Sequence, residues 1–188
     1  MNKHLILVKH SLPDVVENIP AREWVLSKHG RERARRLAQC LVRYQPEMIV
    51  SSDEPKAKET AEIIAKVHGL EFQVCRDLYE HDRSKAPFLS KEEFRATVRE
   101  FFEKPNLLVF GNETADQCHA RFDLAVRSVL NAHENKTIMI VAHGTVISLF
   151  VSRLTGVSDF LLWEELGLPS FVVIDIQSDI LIETVNIS

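Results

Sequence analysis

Leu5-Ile6-Leu7-Val8-Lys9-His10-Ser11 is an aliphatic run that stops abruptly on a cation, an imidazole and a hydroxyl. An unbroken apolar run of this length, without period-two alternation, reads as a strand buried on both faces. Thr137 to Ala142 repeats the pattern more strongly and ends on His143-Gly144-Thr145. In open parallel sheets, ligands bind outside the carboxyl ends of the strands. Two imidazoles delivered there by strands far apart in sequence can face one pocket. A lone histidine after a strand is ordinarily a loop residue; one after each of the two most apolar strands makes a candidate site.

The rest of the chain surrounds these strands with helices. After a polar, Pro-containing loop from Leu12 to Trp24, a helix is expected from about Lys28 to Arg43, with Ala34, Leu37, Ala38, Leu41 and Val42 on its inward face. Met48 to Ser51 reads as a strand. Ser52 is a candidate N-cap, Asp53 and Glu54 suit the helix dipole, and Pro55 suits a first turn. That helix runs to about Val67 and ends at Gly69. Leu70 to Cys75 is a further candidate strand. Ser90-Lys91-Glu92-Glu93 is a capping box, with Phe94, Val98, Phe101 and Phe102 inward and Pro105 as a stop. Thr114 to Ala132 reads as a long helix, and Val146 to Leu154 as an apolar one ended by Gly156. Phe171 to Ile176 and Ile180 to Val185 form a hairpin. Strand–helix alternation of this kind predicts an α/β sandwich with a mainly parallel sheet and an antiparallel edge. No repeat, linker or low-complexity tract divides the chain.

Composition excludes several classes. The 188 residues are 45% hydrophobic and 27% charged, the balance of a globular protein that needs no metal or disulfide staple. A net charge of -4 gives no reason to expect nucleic acid or a membrane surface as partner. The basic run Arg31 to Arg36 is spaced as a solvated helix face. Cys40, Cys75 and Cys118 are dispersed and form no CxxC pair, which suits buried thiols in a reducing compartment rather than a zinc site. No apolar stretch reaches a secretory h-region or a membrane span, so a cytoplasmic protein is expected. Without a signal peptide, the glycosylation patterns at Asn112 and Asn135 carry little meaning.

Cations sharpen the candidate site. Lys9 precedes His10, and Lys56 lies in the first turn of the helix after Ser51-Ser52. If both reach the histidines, the pocket suits a phosphate dianion. A helix-start N–H, as at Gly144, would add a neutral donor. Taken alone, Lys56 and Lys58 read as solvated helix charges.

Those residues resemble the histidine phosphatase superfamily, also called the phosphoglycerate mutase-like fold. Its N-terminal Arg-His-Gly signature after an apolar strand is similar to Lys9-His10-Ser11. Its Leu-Thr-x-x-Gly-x-x-Gln-Ala block is similar to Leu26-Ser27-Lys28-His29-Gly30-Arg31-Glu32-Arg33-Ala34. Its Ser-Ser-Pro-x-x-Arg-Ala-x-Gln-Thr-Ala block shares the frame of Ser51-Ser52-Asp53-Glu54-Pro55-Lys56-Ala57-Lys58-Glu59-Thr60-Ala61. Gly111-Asn112-Glu113-Thr114, followed by Arg121, resembles its Gly-Glu-Ser/Thr segment, and Val141-Ala142-His143-Gly144 its last block. The blocks span nearly the whole chain in order.

The resemblance implies a three-layer α/β/α sandwich over 1–188, with 78–111 as a cap segment that sets specificity through Arg83, Lys85, Phe88, Arg95 and Phe102. It implies a phosphatase acting on a phosphomonoester, a small molecule or a phosphoprotein. His10 would be the covalent nucleophile. Lys9, Lys56 and His143 would hold the phosphoryl oxygens, with Ser11 and Gly144 beside them. Glu80, in Leu78-Tyr79-Glu80, would be the proton donor, with Asp82 and then Glu113 as competitors. No metal or organic cofactor is implied.

The chain also departs from the pattern. Lysines replace both pocket arginines, keeping charge but losing the planar fork that grips phosphate. Ser11 stands in place of glycine, and Pro13 where the family often has Thr or Ser. An inactive anion-binding module that kept the fold is therefore the alternative reading. A mutase ranks lower, because Glu80-His81-Asp82-Arg83 only partly resembles the mutase segment. A metal-dependent hydrolase would rest on eight histidines without ligand spacing. Substrate identity and oligomeric state stay open.

Overall fold

The computed structural model describes residues 4–17, 19–84, 86–87 and 89–187. Strands β1 (His4–Lys9), β2 (Met48–Ser51), β3 (Phe72–Val74), β4 (Ile138–Ala142), β5 (Ser170–Asp175) and β6 (Ile180–Asn186) form one sheet in the order β3-β2-β4-β1-β5-β6. The pairs β1–β4, β2–β4 and β2–β3 are parallel, whereas β5 and β6 run antiparallel at one edge. The two most apolar strands are adjacent at the centre, where burial on both faces is greatest.

Alternation along β1 and β4 feeds two cores. Leu5, Leu7, Ile138 and Ile140 face a core shared with helices α3 (Lys91–Glu103), α4 (Ala115–Ala132), α5 (Gly144–Thr155) and α6 (Asp159–Glu165). Ile6, Val8, Met139 and Val141 face the opposite core, built with α1 (Lys28–Leu41) and α2 (Pro55–His68). The result is the three-layer α/β/α sandwich. None of the described helices is long and apolar enough to cross a membrane.

Local chemistry explains the helix boundaries. The Ser27 and Ser90 side chains cap α1 and α3, and the capping box at Ser90–Glu93 forms in full. Thr114 and Gln117 make a second box for α4. Gly69 and Gly156 end α2 and α5 in the left-handed region.

Several expectations are corrected. Helix α1 ends at Leu41 and tightens into a 3₁₀ turn over Val42–Tyr44, which leaves Val42 51% exposed rather than inward. Helix α2 begins at Pro55 with Glu54, not Ser52, in the N-cap position. The strand expected over 70–75 is limited to β3. Helix α6, capped by Ser158, was not anticipated. Of the three thiols only Cys118 is buried; Cys40 is exposed and Cys75 half-buried.

The 78–111 segment is part of the same packing. Val98 and Phe101 of α3 are fully buried beside Leu78. Arg95 is tied to Glu164 of α6, and Phe102 lies in the core, so neither is a free specificity determinant. Arg83 lies over the Phe94 ring. Lys85 and Phe88 fall outside the described residues.

The loop after β1 is held against α1 by a close approach. A Cβ on Gly30 would lie 2.0 Å from the Leu12 carbonyl oxygen. Gly30→Ala must therefore push this loop outward, and overpacking of this kind costs about 1–3 kcal/mol. We expect a lower urea midpoint with an unchanged m-value; an unchanged midpoint would mean the loop yields freely.

Candidate active site

Three strand ends are stitched together at the carboxyl edge of the sheet. The His10 N–H donates to the Ala142 carbonyl at 3.0 Å, and the Ser52 N–H to the Val141 carbonyl at 2.9 Å. These bonds extend the β1–β4–β2 ladder by one residue and fix where His10, Ser52 and His143 leave it. The rings of His10 and His143 meet edge-on with centroids 5.2 Å apart. The structure thus joins the two histidines that lie 133 residues apart in the chain.

His10 is 7% exposed. Its Nδ1 lies 2.7 Å from the Ser11 carbonyl oxygen, which can only accept. Nδ1 therefore carries the proton, and the lone pair sits on Nε2. Burial, then competition with the His143 ring for a proton and the Lys56 charge, holds the imidazole pKa well below its ordinary value. The ring is neutral at physiological pH.

His143 is fully buried at the N-cap of α5. Its Nε2 lies 2.8 Å from the Ser52 hydroxyl and 3.6 Å from Glu54 Oε1. Its Nδ1 is buried without a hydrogen-bond partner among the described residues. Burial, followed by the Lys56 charge, pushes its pKa well down.

The lysines are held differently. Lys9 Nζ donates to the Leu166 carbonyl at 2.7 Å, and its stem crosses the start of α5, where a Cβ on Gly144 would meet Lys9 Cε at 3.1 Å. Burial lowers the Lys9 pKa to about 8, partly opposed by Glu80. Lys56 is 5% exposed, against the expectation that follows from a lone helix lysine. It donates to the Ala21 carbonyl at 2.7 Å and is ion-paired with Glu54.

Glu80 reaches the same place from the segment after β3. Its Oε1 accepts the His81 N–H at 2.8 Å, and its Oε2 accepts the Thr145 N–H at 3.2 Å, in the first turn of α5. Burial alone would raise its pKa, but His143, Arg83 and those two N–H donors outweigh it, and the net shift is downward. Its two competitors are engaged elsewhere. Asp82 accepts the Ser84 N–H. Glu113 forms a salt bridge with Arg121 at 2.7 Å and accepts the Asp82 N–H. Arg121 also donates to the Asp77 and Tyr79 carbonyls and lies over the Tyr79 ring, which pins the segment that presents Glu80.

Ser11 does not face the site as expected. It is fully buried, its hydroxyl donates to the Gly30 carbonyl at 2.7 Å, and its N–H donates to Thr60 Oγ1. Its role is to hold the loop after His10 to α1 and α2, with no hydroxyl proton left over for a ligand.

Sequence reasoning missed Glu54. Its carboxylate is 6% exposed, pairs with Lys56, approaches His143 and accepts the Glu80 N–H at 2.9 Å. Read as a helix-dipole residue, it looked solvated. The available signal was Pro55 behind it: a proline in the first turn puts Glu54 in the extended N-cap conformation, and its side chain makes no cap bond.

A family model described as the histidine phosphatase superfamily (branch 1) matches residues 14–183. The chain belongs to that superfamily. The match starts after Lys9-His10-Ser11, so the variant signature lies outside it. An uncharacterized phosphatase, PhoE, of Bacillus subtilis (strain 168) is 29% identical over 131 residues, 70% of this chain and 65% of that protein. Phosphoglycerate mutase-like protein 4 of Arabidopsis thaliana is 31% identical over 136 residues, 68% of this chain and 59% of that protein. The chain thus spans less than two thirds of either relative's length. In structure it is similar to a phosphoserine phosphatase variant from Entamoeba histolytica crystallised with phosphoserine, with a TM-score of 0.78 and 18% identity over 97% of this chain and 96% of that one. At that identity the likeness speaks for the fold.

The lowered Lys9 pKa gives a pH prediction. Below pH 8 the ammonium is charged and attracts anions; above it the charge is lost. Sulfate keeps its charge throughout this range, so its affinity should fall severalfold between about pH 7 and pH 9.5. In Lys9→Arg it should stay level. A wild-type profile that is equally flat would place Lys9 outside the anion site.

Proposed function

We propose that the protein is a phosphatase that hydrolyses a phosphoester through a phosphohistidine on His10. The observation that carries this reading is the paired imidazoles at the β1 and β4 ends, with a neutral His10 whose lone pair is on Nε2. Superfamily membership and the similarity to PhoE support it.

In the proposed cycle, His10 Nε2 attacks phosphorus in line with the ester oxygen. The N–P bond forms, the P–O ester bond breaks, and the leaving oxygen takes a proton from Glu80. A water then gives its proton to Glu80 and attacks phosphorus. The N–P bond breaks, its electron pair returns to Nε2, and inorganic phosphate leaves. Lys9, Lys56 and the unpartnered Nδ1 of His143 stabilise the phosphoryl oxygens. Glu80 is ionised in the free protein. A bound phosphoryl anion favours the protonated carboxyl and so makes it a proton donor. No step requires a metal or organic cofactor.

A second reading, an anion-binding module with little or no turnover, is favoured by one observation: the Glu54 carboxylate already occupies Lys56. One experiment separates the two. Incubation with a chromogenic phosphomonoester, followed by acid and alkaline quenches and mass spectrometry, should reveal an acid-labile adduct on His10. His10→Ala should lose the adduct and activity by about three orders of magnitude or more. Activity that survives His10→Ala within a few fold would end the nucleophile assignment.

Glu80 has its own signature. Glu80→Gln should slow turnover strongly for an ester with a leaving group of high pKa and much less for an activated aryl ester. An equal loss on both would make Glu80 structural.

A further inference from the structure

The feature that the proposed cycle does not use is Glu54. A carboxylate in an anion site is costly unless paired, and this one is paired with the cation expected to hold phosphate. Its Oε2 is on Lys56, its Oε1 accepts the Glu80 N–H at 2.9 Å, and the same oxygen lies 3.6 Å from His143 Nε2. Ammonium and backbone N–H are also the donors a phosphoryl oxygen would seek. Glu54 therefore occupies one lobe of the anion site from within the chain.

Charge balance follows from this placement. The cations acting on the two imidazoles are Lys9, Lys56, Arg83 and Arg121, and Arg121 is already matched by Glu113. Glu80 and Glu54 are the carboxylates within the site. His10 and His143 add no charge, because burial keeps both neutral. With Glu80 ionised, as in the free protein, Glu54 lowers the excess of the remaining cations over carboxylates from two charges to one. The approach to Glu54 carries the same bias. A cavity of about 290 Å³ beside it is lined by Arg22, Glu23, Asp53, Glu54 and Pro55, which sets three carboxylates against one guanidinium.

We propose that Glu54 is a specificity-determining residue that lowers this site's preference for doubly charged over singly charged phosphoryl groups. The proposal rests on the phosphatase reading for its relevance to a substrate, but its physical content is the charge selectivity of the anion site. A singly charged phosphoryl group, as in a diester or a singly protonated monoester, adds less repulsion against the Glu54 carboxylate and can be held with the Glu54–Lys56 pair intact. A dianion must either displace the carboxylate or sit against it, and a like charge at such range is a strong discriminator in a low-dielectric site.

Tungstate and perrhenate test this directly, since they are tetrahedral oxyanions of similar size with two charges and one. Binding of each is measured by calorimetry at about pH 7.5, without turnover. In the wild type, tungstate should bind no more than about tenfold tighter than perrhenate. Glu54→Gln should tighten tungstate by about tenfold or more and change perrhenate by less than about threefold. The inference is overturned if the wild type prefers tungstate by more than tenfold, or if the substitution leaves the ratio of affinities unchanged. If Glu54→Gln does not fold, the wild-type ratio alone decides. The His10 adduct experiment is independent. An adduct with the wrong anion ratio would sink Glu54's role and keep the phosphatase; the expected ratio with no adduct would do the reverse. Failure of both anions to bind the wild type would count against both.

Discussion

Everything at the site depends on the parallel pairing of β1 with β4. The register places Lys9 opposite Ala142, and the ladder's last bond runs from the His10 N–H to the Ala142 carbonyl. Because both strands are buried on both faces, a slip by one residue would exchange the two cores, so the register is tightly specified. The imidazole pair inherits that precision from the hydrophobic effect. The geometry of the candidate site is set by residues such as Leu7 and Ile140, which lie together in one of the two cores.

The second structural theme is that polar groups at the sheet's edge are committed to one another. Ser11 ties the loop to α1 and α2, and Thr60 passes its own proton to the Lys56 carbonyl. Arg121 collects Glu113, Asp77 and Tyr79 into one cluster. Such networks rigidify only when every member is satisfied. Among the described residues, two imidazole nitrogens near the site depart from this pattern: His143 Nδ1, on the ring that faces His10, and His81 Nδ1, beside Glu80, are buried and unpartnered.

The sequence made some of this legible for identifiable reasons. His10 and His143 could be found because each follows an apolar run too continuous to be anything but a central strand. The cap at Ser90 was readable because a capping box is a local device. What resisted reading was long-range or direction-dependent. Val42 fits the helical period, but the helix tightens one residue too early for that period to apply. Ser11 was placed beside a ligand because it adjoins His10 in the chain, whereas its hydroxyl turns to Gly30, which no local pattern reveals. Lys56 and Glu54 look like ordinary surface charges until the strand ends converge and enclose them. Family resemblance located Lys56; it had nothing to say about Glu54, which stands at a position where the family block specifies no residue type.

Gly144 and Lys9 illustrate a different consequence. The Lys9 stem lies where a side chain at 144 would begin, with a Cβ there only 3.2 Å from Nζ. The two positions are one steric unit, although they belong to opposite ends of the chain. A larger residue at 144 would require the Lys9 stem to give way by a few tenths of an ångström, and a shorter residue at position 9 would remove that cost. Among divergent relatives, the two sites should therefore change together, with a bulkier residue after the second histidine accompanied by a shorter one before the first.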